Sequence, residues 1–215
     1  NSTASELRDQ HNFSDISVVE NATHLIPIWS IDWENKKKEI VFYGRLTRMK
    51  RADHAIRAFH LLSKKDPEYH MNIIGNAQDE EYIEELEILV STLGISDKVH
   101  FLGFSTEIVS TYLQTAQLML VPSTKEWYGL IVLEGNCFGL PIIAYDVAGL
   151  RDSVRDGKNG ILVPEGDYSA MWAKLIELTN TNSIPLNNGD AGGVNLRDLS
   201  QSSLTFIKEF GGWDE

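Results

Sequence analysis

Two neighbouring cations stand where a predicted strand ends, and together they suit the binding of a phosphate group. Gly44 is followed by Arg45 and Lys50 directly after an apolar, β-branched run. Their guanidinium fork and ammonium could both reach one phosphate. A dinucleotide-binding fingerprint would need three glycines in this loop, and Gly44 is the single one there. The pattern therefore favours anion binding by side chains and weighs against a dinucleotide oxidoreductase.

A second loop carries a carboxylate between another predicted strand and a helix. Glu126 lies in this loop, and Glu134 lies about one turn into the helix that begins near Gly129. Backbone N–H groups at the helix start form an anion site without a metal. A phosphate would repel Glu134, whose carboxylate instead suits the vicinal hydroxyls of a sugar.

The spacing of the two glutamates allows two interpretations. Eight residues span roughly 12 Å in a continuous helix, so Glu126 and Glu134 could bracket a diphosphate between two sugars. Alternatively, Glu126 is a helix N-terminal charge and Glu134 a solvated helix residue. The residues alone leave both open.

Alternating strands and helices must position these loops. Segments of helical periodicity separate six apolar runs that predict strands, at residues 40–43, 71–74, 99–102, 118–121, 141–145 and 161–163. This alternation predicts an α/β fold, a Rossmann-like doubly wound parallel sheet covered on both faces. Ligands of such sheets bind beyond the carboxyl ends of the strands, where both loops lie.

The chain divides into four predicted parts, of which one is a complete domain. Residues 36–180 form the Rossmann-like domain, and residues 1–35 are the remnant of a preceding domain with its linker, holding one short helix and one strand. Residues 181–195, rich in Asn and Gly, form a loop, and residues 196–215 form a truncated C-terminal helix. We expect the chain to be a piece of a longer protein.

Composition excludes several classes of protein. The chain of 215 residues has a formal net charge of −12, which argues against a nucleic-acid partner. Residues 36–70 carry ten basic and four acidic side chains, and we expect this local charge of +6 to face one small anion. A single cysteine and six histidines without ligand spacing predict no metal site. Without a membrane-span-length apolar run or a signal-peptide pattern, a cytoplasmic location is expected.

Several motifs, in this order, resemble retaining glycosyltransferases of family four. They are Gly44-Arg45-Leu46 with Lys50; Val99-His100-Phe101-Leu102-Gly103-Phe104; Glu126 and Glu134 with Cys137-Phe138-Gly139-Leu140-Pro141; and Gly149 with Asp156-Gly157-Lys158-Asn159-Gly160. Enzymes of this family have two Rossmann-like domains facing a cleft, the GT-B architecture, and the second domain binds the nucleotide-sugar donor. The resemblance covers about residues 16–180 and falls entirely in that second domain.

The resemblance implies a role for each predicted site residue. Arg45 and Lys50 grip the donor diphosphate, Glu134 binds the ribose hydroxyls, and Glu126 holds the transferred sugar near its reacting carbon. The backbone amides of Gly129, Leu130 and Ile131 cap a phosphate. The nucleotide is lined by residues of the loops after the first three strands, which are Gly44, Gly75 and Phe104.

The resemblance also implies the partners. The donor is a UDP or GDP sugar, with no further cofactor and no metal, and the acceptor is a glycan, a lipid or a small molecule. Acceptor contacts belong to the missing N-terminal Rossmann-like domain, through which the full-length enzyme could touch a membrane. We therefore expect this fragment to bind donor but to be inactive alone.

Three departures from the family pattern bear on these expectations. Gly75 is followed by Asn76 where the family usually repeats a glycine, Trp127-Tyr128 replaces a smaller residue followed by Phe, and Asp152 stands where Glu is common. Two alternatives remain: a sugar-nucleotide epimerase of the same architecture, and a non-enzymatic nucleotide-sugar-binding module.

Overall fold

A six-stranded parallel sheet forms the centre of the protein in a computed structural model, which describes residues 25–180 and 195–211. The strands follow the spatial order β3-β2-β1-β4-β5-β6. Their bounds are β1 Glu39–Tyr43, β2 His70–Ile74, β3 Val99–Gly103, β4 Leu118–Val121, β5 Ile142–Tyr145 and β6 Gly160–Val163. The predicted Rossmann-like α/β fold is confirmed, and each of the six predicted strands is present with bounds shifted by at most one residue.

Helices connect the strands and follow the sheet. They are α1 Ala52–Lys65, α2 Glu80–Thr92, α3 Thr106–Thr115, α4 Leu130–Cys137, α5 Ala148–Ser153, α6 Tyr168–Asn180 and α7 Leu196–Gly211, and short 3-10 turns lie at Trp33–Asn35 and Arg48–Lys50. Side-chain oxygens cap the N-termini of four of these helices. Asp79 accepts from the Tyr82 N–H, Ser105 from the Ile108 N–H, Asp167 from the Ala170 N–H and Asn195 from the Asp198 N–H.

Burial explains why the strands read as continuous apolar runs. Every residue of β4 and β5 is buried, so both faces of the sheet centre are covered. A parallel sheet enclosed in this way selects apolar residues at successive positions and not at alternate ones. Helix α1 packs against α6, and α4 packs against α7.

The strand order reverses between β1 and β4, where Ile40 pairs with Leu118. The chain leaves β1 towards β2 on one side and leaves β4 towards β5 on the other. The loops after these two strands therefore diverge and leave a crevice at the carboxyl edge, the usual ligand site of an open α/β sheet.

Three short elements were missing from the sequence prediction: helix α5 and the 3-10 turns at Trp33–Asn35 and Arg48–Lys50. Helix α5 has only six residues, and Val147 at its N-cap gives no side-chain hydrogen bond. The turn Arg48–Lys50 likewise has no side-chain cap. Both lack the signals that mark a helix start in a sequence.

The predicted domain boundaries stay predictions. The proposed helix and strand within residues 1–24, most of the loop 181–195 and residues 212–215 lie outside the described residues. The described part of the linker lies against the domain, because the Ile28 N–H donates to the Cys137 carbonyl at 2.8 Å. None of the helices within 25–180 and 195–211 has both the length and the apolar character needed to cross a membrane.

Candidate functional site

A cavity of about 480 Å³ opens at the carboxyl edge of the sheet, beside the ends of β1 and β4. The structure brings together all ten predicted site residues in its lining: Gly44, Arg45, Lys50, Gly75, Phe104, Glu126, Gly129, Leu130, Ile131 and Glu134. Four lining residues were not among them: Tyr43, Asn76, Trp127 and Tyr128. The predicted site residues therefore share one cavity, while their assignment to a donor site and the role of each stay predictions.

One wall of the cavity is backbone from the ends of β1 and β2. The Gly44 N–H donates to the Ile74 carbonyl at 3.0 Å. A Cβ atom on Gly75 would lie 1.8 Å from the Gly44 carbonyl oxygen, far inside van der Waals contact. Gly75 is therefore required by the neighbouring backbone, a packing reason that the sequence did not reveal.

Lys50 forms an ion pair with Glu126 across the crevice. Both side chains are nearly buried, with 13% and 11% of their surface exposed. The two loops are also joined through backbone, since the Thr124 N–H donates to the Met49 carbonyl at 2.9 Å. The cation expected at a diphosphate and the carboxylate expected at a sugar are thus partners, and Glu126 is not a solvated helix-terminal charge.

Gly149 in α5 supports the loop that carries Glu126. A Cβ atom at this position would lie 2.2 Å from the Glu126 carbonyl oxygen and 2.8 Å from the Trp127 carbonyl carbon. Any side chain on residue 149 would thus displace the backbone of Glu126. Sequence reasoning noted this glycine only as part of a resemblance, because nothing local in the sequence shows which backbone it meets.

The start of α4 presents backbone donors to the cavity. Gly129 precedes the helix with φ +71°, in the left-handed region. A Cβ there would also lie 2.8 Å from Ser153 Oγ, so glycine is required on both grounds. The first N–H groups of a helix have no acceptor within it, and here those of Leu130 and Ile131 belong to residues lining the cavity.

Tyr43, which ends β1, hydrogen-bonds Glu134 on α4. Burial, and then the charge and hydrogen bond of Glu134, raise the pKa of the Tyr43 hydroxyl well above its ordinary value. Burial and the charge of Glu134 likewise raise the pKa of the Cys137 thiol to about 12. The tyrosine was missed from the sequence, although its position as the last residue before Gly44 could have suggested it.

The expectation that the local charge of +6 faces one anion is wrong for two of the arginines. Arg48 donates to the Glu85 carboxylate at 2.6 and 2.9 Å, on helix α2. Arg51 donates to Asp53 at 3.0 and 2.9 Å. Both arginines line a separate cavity of about 380 Å³. The order of charged residues along the sequence does not show which cations line the site cavity. Their positions in the structure do.

Apolar side chains edge the site cavity. Trp127 is 76% exposed, Phe104 50% and Leu130 40%, so this rim meets solvent in the isolated chain. Among the side chains of the described ranges, no group of three or more His, Cys, Asp or Glu is placed to hold a metal ion.

Comparison with known proteins identifies the chain's relatives. The family model described as Glycosyl transferases group 1 matches residues 28–190. A curated protein of Haemophilus influenzae, called an uncharacterized glycosyltransferase, is 31% identical over 178 residues. That alignment covers 82% of this chain but 49% of the relative, so the chain spans about half the length of that curated relative.

Solved structures share the fold. Anabaena HepE, crystallised with UDP, superposes with a TM-score of 0.66 at 22% identity, covering 81% of this chain and 44% of HepE. The C-terminal domain of LpcC from Francisella tularensis, named as a glycosyl transferase group 1 family protein, gives a TM-score of 0.70 at 22% identity. The alignment covers 86% of this chain and 94% of that domain.

Proposed function

We propose that this chain, which belongs to the glycosyl transferases group 1 family and has the GT-B fold, is the donor-binding half of a retaining glycosyltransferase. The reaction would move a sugar from a nucleoside diphosphate to a glycan, lipid or small-molecule acceptor. The observation that carries the proposal is the cavity between β1 and β4. There two cations, a helix start and two carboxylates converge.

The diphosphate is assigned to the cationic part of this cavity. Arg45, Lys50 and the N-terminus of α4 line it together, so positive charge and backbone donors can surround one anion. During transfer, negative charge grows on the departing phosphate oxygen while the sugar becomes oxocarbenium-like. Fixed donors aimed at that oxygen stabilise the transition state without any metal, which supports a metal-independent reaction.

Glu134 is assigned to the ribose of the donor. Its carboxylate lies at the cavity beside the Tyr43 hydroxyl, and a carboxylate can accept hydrogen bonds from both vicinal ribose hydroxyls. Glu126 is assigned to the transferred sugar, beside Lys50. We favour orientation of the sugar by Glu126, with front-face transfer and retention, over covalent attack by its carboxylate.

Uridine is our first choice of base. Gly75 and Phe104 lie on the β2–β3 side of the cavity, where the base would extend from the ribose. HepE, whose fold is similar, was crystallised with UDP, which supports this choice. GDP is the other donor type that the sequence leaves open.

Acceptor binding is assigned to another domain of the full-length enzyme. The chain spans about half of its Haemophilus relative and matches nearly the whole LpcC C-terminal domain. We therefore propose that the chain alone binds donor but transfers no sugar. A cytoplasmic location and membrane contact through the other domain stay predictions.

The test is a calorimetric titration of this 215-residue chain with UDP, GDP and ADP, without added metal and again with Mg²⁺. We expect UDP to bind, with an affinity that Mg²⁺ leaves unchanged. Absence of binding by all three nucleotides would contradict the donor-binding assignment. Sugar transfer by the isolated chain would contradict its incompleteness, and conversion of UDP-N-acetylglucosamine without an acceptor would favour an epimerase.

A further inference from the structure

Arg51 has a backbone conformation that side chains other than glycine rarely adopt. Its φ of 50° and ψ of 46° place it in the left-handed region, and no other non-glycine residue of 25–180 and 195–211 has a positive φ. Such a conformation costs free energy and persists only where the surroundings hold it, most often at functional sites. Arg51 lies directly between Lys50 and the first residue of α1.

The Arg51 side chain is held in place by its neighbours on α1. Its Nε and Nη2 atoms donate to the two Asp53 carboxylate oxygens at 3.0 and 2.9 Å, and Nη2 also contacts His54 Nε2. We call Arg51, Asp53 and His54 the Arg51 anchor. Although burial would raise the pKa of Asp53, the hydrogen bond and charge of Arg51 hold it below its ordinary value. The pair is therefore a charged, bidentate contact.

Two tyrosines tie the Arg51 anchor to other elements. The Tyr82 hydroxyl of α2 donates to Asp53 at 3.1 Å, and His54 Nδ1 lies 2.5 Å from the Tyr145 hydroxyl of β5. Since Arg51 can only donate, His54 Nε2 accepts and its Nδ1–H is left to donate to Tyr145. This neutral form agrees with the pKa of His54, which burial lowers.

The left-handed residue joins the turn Arg48–Lys50 to α1, and the side chains of Lys50 and Arg51 line different cavities. Lys50 lines the site cavity and pairs with Glu126, whereas Arg51 lines the separate cavity beside α2. The Arg51 N–H donates to the Arg48 carbonyl at 3.3 Å, which closes the turn that carries Lys50. A change in the conformation of Arg51 would therefore re-aim the ammonium of Lys50.

We propose that Arg51 is a positioning residue, whose anchor on Asp53 and His54 holds the turn Arg48–Lys50 so that Lys50 meets the donor diphosphate. This inference rests on the proposed function, since it assigns Arg51 to the same site. Arg51 does not touch the donor in this arrangement and acts through Lys50.

A double-mutant cycle on UDP affinity, measured by calorimetry on this chain, tests the inference. We expect Arg51→Ala to weaken UDP binding about tenfold in the wild-type background and to have no effect in a Lys50→Ala background. Arg51→Gly relieves the backbone but removes the anchor, so it should weaken UDP binding similarly. Lys65→Ala, which removes an exposed cation at the end of α1, is the matched control and should leave affinity unchanged.

Asp53→Asn keeps the size of the Asp53 side chain but removes its negative charge. This variant replaces Arg51→Ala in the cycle if Arg51→Ala does not fold. It should give the same loss, again only when Lys50 is present. Wild-type affinity in the Arg51 and Asp53 variants, or an equal loss in both backgrounds, would overturn the positioning role while leaving the proposed function intact. A wild-type chain that binds none of UDP, GDP and ADP would instead contradict the proposed function, and the role of Arg51 with it.

Discussion

Lys50 and Glu126 lie 76 residues apart in the chain and form an ion pair across the crevice between β1 and β4. A carboxylate beside a phosphate-binding cation competes with the phosphate for it. In the donor-binding proposal, the ammonium of Lys50 must therefore turn from Glu126 towards the diphosphate or be shared between them. We therefore expect Lys50 to strengthen nucleotide binding and Glu126 to weaken it.

We expect Glu126→Gln to strengthen the binding of UDP, which carries no sugar for Glu126 to hold. Removing the carboxylate frees Lys50 and removes a charge that repels the diphosphate. The affinity should rise about threefold to tenfold, where each tenfold corresponds to about 1.4 kcal/mol. Calorimetry measures it, with Glu87→Gln on the exposed face of α2 as the control. Weaker UDP binding by Glu126→Gln would contradict this competition.

Glu134→Ala and Arg45→Ala should each weaken UDP binding. The first loses charged hydrogen bonds to the ribose and the second loses a cation at the diphosphate, so we expect about tenfold or more in each case. Glu84→Ala and Lys64→Ala, both exposed on helices, are the matched controls. Unchanged calorimetric affinity in both Glu134→Ala and Arg45→Ala would refute the assignment of the site.

The sheet, and the gathering of the candidate site residues at one edge of it, could be predicted from the sequence for one physical reason. Strands buried on both faces leave continuous apolar runs, as in β4 and β5. Loops after β1 and β4 then flank the crevice at the switch point whatever their composition. Arg45 and Glu134 were found in this way, because a strand end and a helix start can be located from local pattern.

The pairing of charges could not be predicted in the same way. Arg48, Lys50 and Arg51 stand within four residues of one another, yet they reach Glu85, Glu126 and Asp53 respectively. Which partner each cation meets depends on the left-handed turn at Arg51 and on the approach of two distant loops. Neither the φ of a non-glycine residue nor such an approach leaves a local signal in sequence.

Tyr43→Phe should weaken UDP binding about threefold to tenfold, because Glu134 loses a neutral hydrogen-bond donor that is worth about 1 kcal/mol. This loss of affinity should require the ribose hydroxyls, which donate hydrogen bonds to Glu134. We therefore expect the affinity for 2′-deoxy-UDP to change less than that for UDP in calorimetric titrations. An equal loss for both nucleotides would mean that Tyr43 acts on packing and not through Glu134.

Gly149→Ala should destabilise the chain by about 1–3 kcal/mol, as overpacking of a close contact does. The added Cβ would collide with the carbonyl of Glu126, and backbone cannot yield as a flexible side chain can. Urea unfolding measures the loss. Gly135→Ala is the matched control, because its Cβ would meet the terminal methyl of Met119, which can move, so a smaller loss is expected. Equal losses would contradict the support of the Glu126 loop by Gly149.

The stability of the chain should fall as the pH drops through about 6.5, the ordinary pKa of histidine. Burial, then the charges of Arg51 and Arg57 against the opposing charge of Asp53, set the pKa of His54 below that value. Below 6.5 the unfolded chain therefore binds a proton that the folded chain does not, and unfolding is favoured. Urea unfolding between pH 7.5 and 5.5 should show this slope, and His54→Gln should flatten it. Burial also lowers the pKa of His60, so the His54→Gln, His60→Gln double variant should flatten the slope further. A slope that is unchanged in His54→Gln would show that the folded chain accommodates a protonated His54 beside Arg51.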